Sequence, residues 1–346
     1  MAKLIYTEGE LMREHEYARP HTVGGRRMHG GFLADGSYQP PRALVREVAL
    51  EAWTERLLER GGDLLDADAS LLDGERVPTI EQSRVLLRNG LGSWFWNTLT
   101  ITGKIEARGR LLADAQFPDL QPFIVDDIST MAVGHLNGGL LRAHGIDEGG
   151  ETGSGIGAHD EMWFVARDLA FGVDAYADVE PQENIARPEV GSRFMPEVSP
   201  AVEGLLSLLM NLLVIEFRAE IGFASAQALL RTDDLFGDRR QQAEEAAEII
   251  GRIRTDEEIH VRSLRLYLGE LASVTFKTLD GSTISGSELI ERFWNGLVRW
   301  ATVEQPPLIA AQQRAAVDRL IDTHADADRV RREFDEAALA GAGRRR

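Results

Sequence analysis

The chain has 346 residues, of which 43% are hydrophobic and 27% charged; this balance is typical of a globular protein and excludes a disordered or fibrous one. Its 38 basic and 56 acidic residues give a formal net charge of −18, which argues against DNA or RNA as the main partner because phosphate binding needs a basic surface. Cysteine is absent, so disulfides, thiolate-held zinc, iron–sulfur clusters and a cysteine nucleophile are excluded. Any metal must therefore be held by Glu, Asp and His.

The N-terminal sequence has no apolar signal-peptide core, and no apolar run reaches the ~18 residues that a membrane helix needs. We therefore expect a soluble, cytoplasmic protein with no membrane partner. Residues 17–42 are rich in Gly, Pro, Arg and His without a helical period, which predicts an arm laid over the body, with His21 and His29 facing solvent. A first helix from about Pro41 completes an N-terminal region assigned to residues 1–78.

The next part of the chain shows a capping box and a proline break. Thr79 and Gln82 supply a hydroxyl and an amide to the free N–H groups of a new helix, which is predicted to run to about Asp114. Pro118 ends it, and a returning helix follows. Residues 147–157 form a glycine-rich loop with no strand before it, so a connector or mobile lid is favoured over a phosphate-binding loop.

Two long helices are predicted over residues 200–231 and 239–271, and they form an antiparallel hairpin after the N-cap at Ser199-Pro200. A helical bundle is therefore assigned to residues 79–271. The C-terminal residues 272–346 are expected to begin with a β-hairpin around Asp280-Gly281 and to continue as helices to a frayed tail.

Ionisable residues interrupt the apolar stripes of these two helices. Glu257 and His260 lie three residues apart on the core face of the second helix, so both can bind the same metal ion. The first helix carries Glu216 in its stripe and Glu220 one turn on. In the antiparallel hairpin, either one lies level with the Glu257–His260 pair along the helix axis, and Glu216 fits slightly better. A buried, unpaired carboxylate costs roughly several kcal/mol, so it needs a metal ion or a strong partner.

A Glu followed after about thirty to forty residues by the sequence DEEIH (residues 256–260) resembles the half-site of ferritin-like di-iron carboxylate proteins. This family includes ribonucleotide reductase small subunits, bacterial hydrocarbon monooxygenases and p-aminobenzoate N-oxygenase. The resemblance covers residues 200–271. It implies ligand roles for Glu257, His260 and either Glu216 or Glu220, and these four are the candidate catalytic residues. It also implies that Asp256 supports a ligand by a hydrogen bond.

A second copy of this half-site is expected in the first half of the bundle, where the sequence departs from the pattern. Glu106 lies where a first Glu belongs, and Asp127 is the symmetric position on the returning helix but has no His three residues on. His135 is two turns further, about 12 Å along the axis. His159 lies on the apolar side of the next helix and could complete a site. The alternative is that only one metal ion binds.

Each candidate also has a structural explanation. Glu257 and His260 could form a buried hydrogen-bonded pair, and Glu106 could belong to a solvated ion-pair face. Asp127 could lie on the surface, and His135 could be a packing histidine among small residues.

The sequence thus predicts an all-α protein: a ferritin-like four-helix bundle with an extra N-terminal helix and arm and a C-terminal β-hairpin plus helices. The resemblance implies an O2-using oxidase, oxygenase or N-oxygenase that acts on a small organic substrate. It further implies two bound iron ions and an external electron donor. Manganese in place of iron, or a single metal ion, are the alternatives, and a homodimer is also compatible with the resemblance. The functional alternatives are a mononuclear metal hydrolase or hydratase on the same bundle, and a non-catalytic ferritin-like binding protein.

Overall fold

The computed structural model describes residues 4–67, 69–72, 77–183, 185–187 and 193–343. Within these residues the chain is mostly helical and carries two small β-sheets, which agrees with the predicted class in outline. The predicted frayed tail falls in part outside the described residues, since helix α12 ends at Gly343.

The N-terminal region contains a short helix and a small antiparallel sheet with strand order β1-β2-β3. These elements are α1 (Glu8–Leu11), β1 (Arg19–Val23), β2 (Arg26–Phe32) and β3 (Tyr38–Gln39). Gly24 and Gly25, both with positive φ, make the tight turn between β1 and β2. The prediction of an irregular arm with solvent-facing histidines was wrong. His21 and His29 are buried because the sheet packs against the helices.

The first predicted helix is confirmed as α2 (Ala43–Glu59). The helices that follow it are α3 (Ile80–Arg88), α4 (Ser93–Gly109) and α5 (Leu111–Asp114). The capping box of Thr79 and Gln82 is confirmed at the start of α3. The single helix predicted to reach Asp114 is wrong, because Gly90 adopts a positive φ and ends α3.

The prediction of one continuous helix returning after Pro118 is also wrong. Short 3₁₀ turns occupy residues 121–123 and 132–138, and the α-helix begins only at α6 (Leu140–Gly149). A tight backbone approach explains the irregularity, since a Cβ on Gly134 would lie 2.2 Å from the Ile128 carbonyl oxygen. Residues 147–149 therefore belong to α6, not to the glycine loop.

Residues 150–158 connect α6 to α7 (His159–Phe171). This connector is joined to β2 by two backbone hydrogen bonds: His29 N donates to the Gly157 oxygen at 2.8 Å, and Gly157 N donates to the Arg27 oxygen at 2.9 Å. The N-terminal sheet and the start of α7 are thereby fixed relative to each other.

The predicted hairpin of long helices is confirmed as α8 (Pro200–Leu230) and α9 (Arg240–Ala272), with the Ser199 cap in place. The predicted β-hairpin is confirmed as β4 (Thr275–Lys277) and β5 (Thr283–Ser285). Three further helices complete the described chain: α10 (Gly286–Arg299), α11 (Gln305–Ile321) and α12 (Ala327–Gly343).

The helices α4, α7, α9 and α8 pack side by side in that order, α8 running along α9. Two apolar clusters form along this layer. One includes Leu209, Leu213 and Leu264, and the other includes Phe223 and Ile253. The polar residues of α8 and α9 described below lie between these clusters, so the fold encloses them in apolar surroundings.

One helix, α8, is long and apolar enough to cross a membrane when judged by length and composition alone. The sequence-based expectation that no segment is long enough therefore does not hold by this criterion. Half of its most apolar window is buried in the fold, and the core helix of a soluble protein passes the same test.

Candidate metal centre

Seven buried ionisable side chains converge between the two apolar clusters in the described part of the chain. They are Glu106 on α4, His144 and Glu148 on α6, His159 on α7, Glu216 on α8, and Glu257 and His260 on α9. Each is at most 8% exposed. Their ligand atoms fall into two groups, and within each group the atoms lie within 4.8 Å of one another.

The first group, here called the carboxylate-rich position, contains Glu106, Glu148, His159 and Glu257. The His159 Nδ1 atom lies 3.1 Å from Glu257 Oε1 and 3.6 Å from both Glu106 Oε2 and Glu148 Oε1. All four atoms are buried without a hydrogen bond. Buried polar atoms normally have partners, so four such atoms directed at one point suit a cation.

The second group, here called the histidine-rich position, contains His144, Glu148, Glu216 and His260. The His144 Nε2 atom lies 3.0 Å from Glu216 Oε1, and the His260 Nδ1 atom lies 2.9 Å from Glu148 Oε1. The two imidazole rings stack with their centroids 3.9 Å apart.

Two carboxylates connect the positions. Glu148 belongs to both groups through Oε1. Glu257 directs Oε1 to His159 and Oε2 to His260, the latter at 2.9 Å from Nδ1. The two positions therefore share two carboxylates, and together they form one cluster of buried side chains, here called the centre.

The outer nitrogen of His260 is held by Asp147. The His260 Nε2 atom lies 3.3 Å from Asp147 Oδ2, and Arg46 Nη2 donates to the same oxygen at 2.7 Å. Arg42 donates to Asp147 Oδ1, its Nε at 2.8 Å. These guanidinium groups overcome the effect of burial and hold the pKa of Asp147 well below its usual range.

The outer nitrogen of His159 is held by Asp256, the residue predicted for this supporting place. Asp256 Oδ2 lies 3.2 Å from His159 Nε2 and 3.3 Å from His29 Nε2, and it accepts a hydrogen bond from the Tyr38 hydroxyl at 3.0 Å. His159 and His260 thus both present Nδ1 to the centre and Nε2 to an aspartate. This arrangement fixes ring orientation and raises the basicity of a metal-binding imidazole.

Protons offset the charge of the buried carboxylates in the centre. Burial, followed by repulsion from neighbouring carboxylates, raises the pKa of Glu106 and of Glu216 well above the ordinary value. Burial opposes charge on His159 and His260, yet the facing carboxylates raise the pKa of both. Burial lowers the pKa of His144 to about 3, which leaves its ring neutral and able to bind a metal. The protons that offset these carboxylates are those that a bound metal ion would replace.

Glycines allow α6 to approach the other helices closely enough to place its ligands. A Cβ on Gly145 would lie 2.4 Å from the Ala113 backbone nitrogen, and one on Gly109 would lie 2.4 Å from the Glu148 Cβ. Gly109 is the last residue of α4, so the bare backbone there gives room for the Glu148 side chain.

Five predicted ligands come together in the centre: Glu106, His159, Glu216, Glu257 and His260. Of the two alternatives, Glu216 lies in the centre. The prediction of Glu220 is corrected, because its carboxylate is 43% exposed and pairs with the Arg254 guanidinium, which donates from Nε at 2.9 Å.

The predictions of Asp127 and His135 as ligands are also corrected. Asp127 is exposed, and its carboxylate accepts a hydrogen bond from the Ser129 backbone at 2.9 Å. His135 is buried, but both ring nitrogens are occupied: Nδ1 lies 2.7 Å from the Met131 oxygen and Nε2 accepts from Tyr6 N at 3.2 Å. His135 is therefore a packing histidine.

The residues of α6 were missed by reasoning from sequence: His144, Asp147 and Glu148. His144 and Glu148 are four residues apart, a spacing that places two side chains on one helical face. This i, i+4 spacing could have identified the two residues from the sequence. It was missed because residues 147 and 148 were assigned to a glycine-rich loop.

A cavity of about 260 Å³ lies between the N-terminal sheet and the connector. Its walls include Arg27, His29, Arg42 and Ala158. His29 and Arg42 also contact the aspartates behind the two histidines, so the cavity borders the outer side of the centre.

Comparisons with protein-family models, with curated protein sequences and with solved structures found no match to this chain. The class of protein that the site supports therefore rests on the residues themselves: a helical protein whose buried His, Glu and Asp groups could hold metal ions.

Proposed function

We propose that this chain is a ferritin-like di-metal carboxylate protein, with iron as the metal, that uses O2 to oxidise a small organic molecule. The observation that carries the proposal is the convergence of Glu106, Glu148, His159 and Glu257, whose facing atoms are buried and form ion-pair contacts without a hydrogen bond. The adjoining histidine-rich position shares Glu148 with this group.

The donor set fits iron. Four carboxylates and three imidazoles surround the two positions, and mixed carboxylate and imidazole ligands suit Fe²⁺. In ferritin-like di-iron proteins, two helices each contribute a Glu and two others each contribute a Glu and a His. Here Glu106 and Glu216 fill the first role, and Glu257 with His260 fills the second. Glu148 and His159 fill the remaining role from two successive helices.

Glu106, Glu148, His159 and Glu257 would hold one ferrous ion, and His144, Glu148, Glu216 and His260 the other; when bound, these ions would supply electrons for the reduction of O2, and an external donor would return them. Glu148 and Glu257 contact histidines of both positions. Asp147 and Asp256 keep His260 and His159 oriented through their Nε2 atoms. The apolar clusters on either side exclude water, which strengthens the electrostatic interactions of the buried carboxylates.

The sharing of two carboxylates also favours two metal ions over one. A mononuclear hydrolase needs a single position with an open place for water. Glu257 directs its two oxygens to different histidines 5.7 Å apart between ring centroids, which suits a pair of ions.

The test is metal content after anaerobic loading of the metal-free protein with Fe²⁺, followed by O2 uptake. We expect about two iron ions per chain in the wild type. Glu257→Gln should lose iron from both positions, because Glu257 contacts both histidines. Glu220→Gln is the matched control, since it changes a Glu one turn from Glu216 that pairs with Arg254, and it should retain the wild-type content.

One ion per chain in the wild type would favour the mononuclear alternative. No bound iron would refute the metal proposal and leave the centre as a buried hydrogen-bonded cluster. Two bound ions without accelerated O2 uptake, across reductants and small organic additives, would refute the oxidase and keep the metal centre.

A further inference from the structure

The cavity between the N-terminal sheet and the connector has the size and lining of a ligand pocket. Its volume of about 260 Å³ is close to the lower end of the range for such pockets, about 300 Å³. The wall has an apolar part, formed by Ile146, Ile156 and Ala158, and a buried polar part, formed by His29 and Arg42. None of the seven residues of the centre lines this cavity, so it is separate from the metal positions.

Arg27 lines the cavity and forms no ion pair within the described residues. Its side chain is partly buried, and its Nη1 atom donates to backbone oxygens only, those of His21 and Gly30, both at 3.3 Å. In a chain with a net charge of −18, an arginine without a carboxylate partner is unusual. The Nε and Nη2 donors of this guanidinium group form no hydrogen bond within the described chain, so they are free to bind an anion.

The other charged side chains of the wall are already compensated. Arg42 and Arg46 both pair with Asp147. Arg42 also pairs with Glu14, with 3.4 Å between Nη1 and Oε1. Glu151 pairs with an arginine of α6 at 3.2 Å. The wall therefore carries one uncompensated positive charge within the described residues, which favours a ligand with a single negative charge over a dianion.

We propose that this cavity binds a small organic monocarboxylate. The carboxylate group of the ligand lies on Arg27, because a planar guanidinium group can donate two parallel hydrogen bonds to the two oxygens of a carboxylate. The apolar body of the ligand lies along Ile146 and Ile156. This inference goes beyond the proposed oxidase function and does not depend on a bound metal ion.

The experiment is isothermal titration calorimetry of the metal-free full chain, after removal of the chelator and in a buffer that contains no carboxylate. Hexanoate and cyclohexanecarboxylate are compared with their uncharged amides and with inorganic phosphate. We expect at least one of the two carboxylates to bind at least about tenfold more tightly than its amide, because a hydrogen bond to a charged group contributes that much or more to affinity.

A pair of variants tests the assignment to Arg27. Arg27→Met removes the guanidinium group and keeps an apolar side chain, so the affinity for the carboxylate should fall at least about tenfold while that for the amide stays the same. Arg26→Met is the matched control, because Arg26 is the neighbouring residue of β2, pairs with Glu161 and does not line the cavity. It should keep the wild-type affinity. If Arg27→Met does not fold, the comparison of carboxylates with amides in the wild type decides the proposal.

Three results of the titration would overturn the inference: equal affinities for the carboxylates and their amides, no binding of either carboxylate, or tighter binding of phosphate. Equal losses of affinity in Arg27→Met and Arg26→Met would overturn it as well. All of these measurements use the metal-free protein, so their failure leaves the di-metal proposal standing, and an absence of bound iron would not affect this inference.

Discussion

Replacing Glu106 by Gln should stabilise the metal-free protein and reduce the stabilisation that bound metal adds. Glu106 is 8% exposed, its Oε2 has no hydrogen bond, and burial and the neighbouring Glu148 raise its pKa well above the ordinary value. In the metal-free protein this carboxyl group lowers the free energy of unfolding. In the metal-bound protein it is a ligand.

The magnitude follows from linkage between ionisation and folding, in which one pKa unit is worth about 1.4 kcal/mol. Gln has the same shape and does not ionise, so Glu106→Gln should raise the free energy of unfolding of the metal-free protein by about 1.4 kcal/mol for each pH unit over which the unfolded carboxyl group is ionised and the folded one stays protonated. Because the folded-state pKa is raised, Glu106 costs stability increasingly as the pH rises above about 4.5, the value for an unperturbed Glu. The advantage of the variant should therefore be larger at pH 8 than at pH 5.

Metal should oppose this effect. A ligand at 100 times its dissociation constant stabilises the folded protein by about 2.7 kcal/mol, and the variant loses part of that gain because one carboxylate is missing. Thermal unfolding in a chelator and in anaerobic Fe²⁺ measures both cases, with Glu220→Gln as the control. If Glu106→Gln lowered the stability of the metal-free protein, Glu106 would instead be part of a stabilising structural network.

Two further substitutions test the packing beside the centre and the burial of a carboxyl group outside it. A Cβ on Gly109 would lie 2.4 Å from the Cβ of Glu148, so Gly109→Ala should displace the Glu148 side chain and lower the iron content. Gly204→Ala is the control, because a Cβ there meets open space and the iron content should not change. Metal analysis of both variants tests this prediction. Burial raises the pKa of Glu270 to about 7, so this residue costs stability as the pH rises from about 4.5 to 7. Glu270→Gln keeps an oxygen that can accept the hydrogen bond from Val133 N. The substitution should raise the free energy of unfolding by up to about 3 kcal/mol above pH 7 and by little near pH 4.5. Chemical unfolding at both pH values measures this, and an equal change at both would refute the raised pKa of Glu270.

The long helices could be predicted from sequence because their signals are local and agree with one another. α8 and α9 each carry an apolar stripe along most of their length, and Ser199-Pro200 marks the start of α8. Their predicted bounds differ from the observed ones by at most one residue. The same stripes identified Glu216, Glu257 and His260, because an ionisable residue in an apolar line stands out.

The N-terminal sheet could not be predicted in this way. β2 reads Arg-Arg-Met-His-Gly-Gly-Phe, which has no alternation of polar and apolar residues. Its last five residues are buried because both faces are covered in the folded protein, and that is a property of tertiary packing. His29 consequently became a buried partner of Asp256, although its local sequence is typical of an exposed loop.

The first half-site was hidden by a break in helix continuity. An uninterrupted helix would place the histidine partner of Glu148 three residues on, but Glu151 stands there and pairs with Arg142 at the surface. α6 ends at Gly149, and the chain passes through the connector before His159 begins α7. A ligand spacing read from sequence assumes that one helix carries both residues. Where a connector intervenes, burial and apolar neighbours identify the ligand better than spacing does, which is why His159 could be proposed and Glu148 could not.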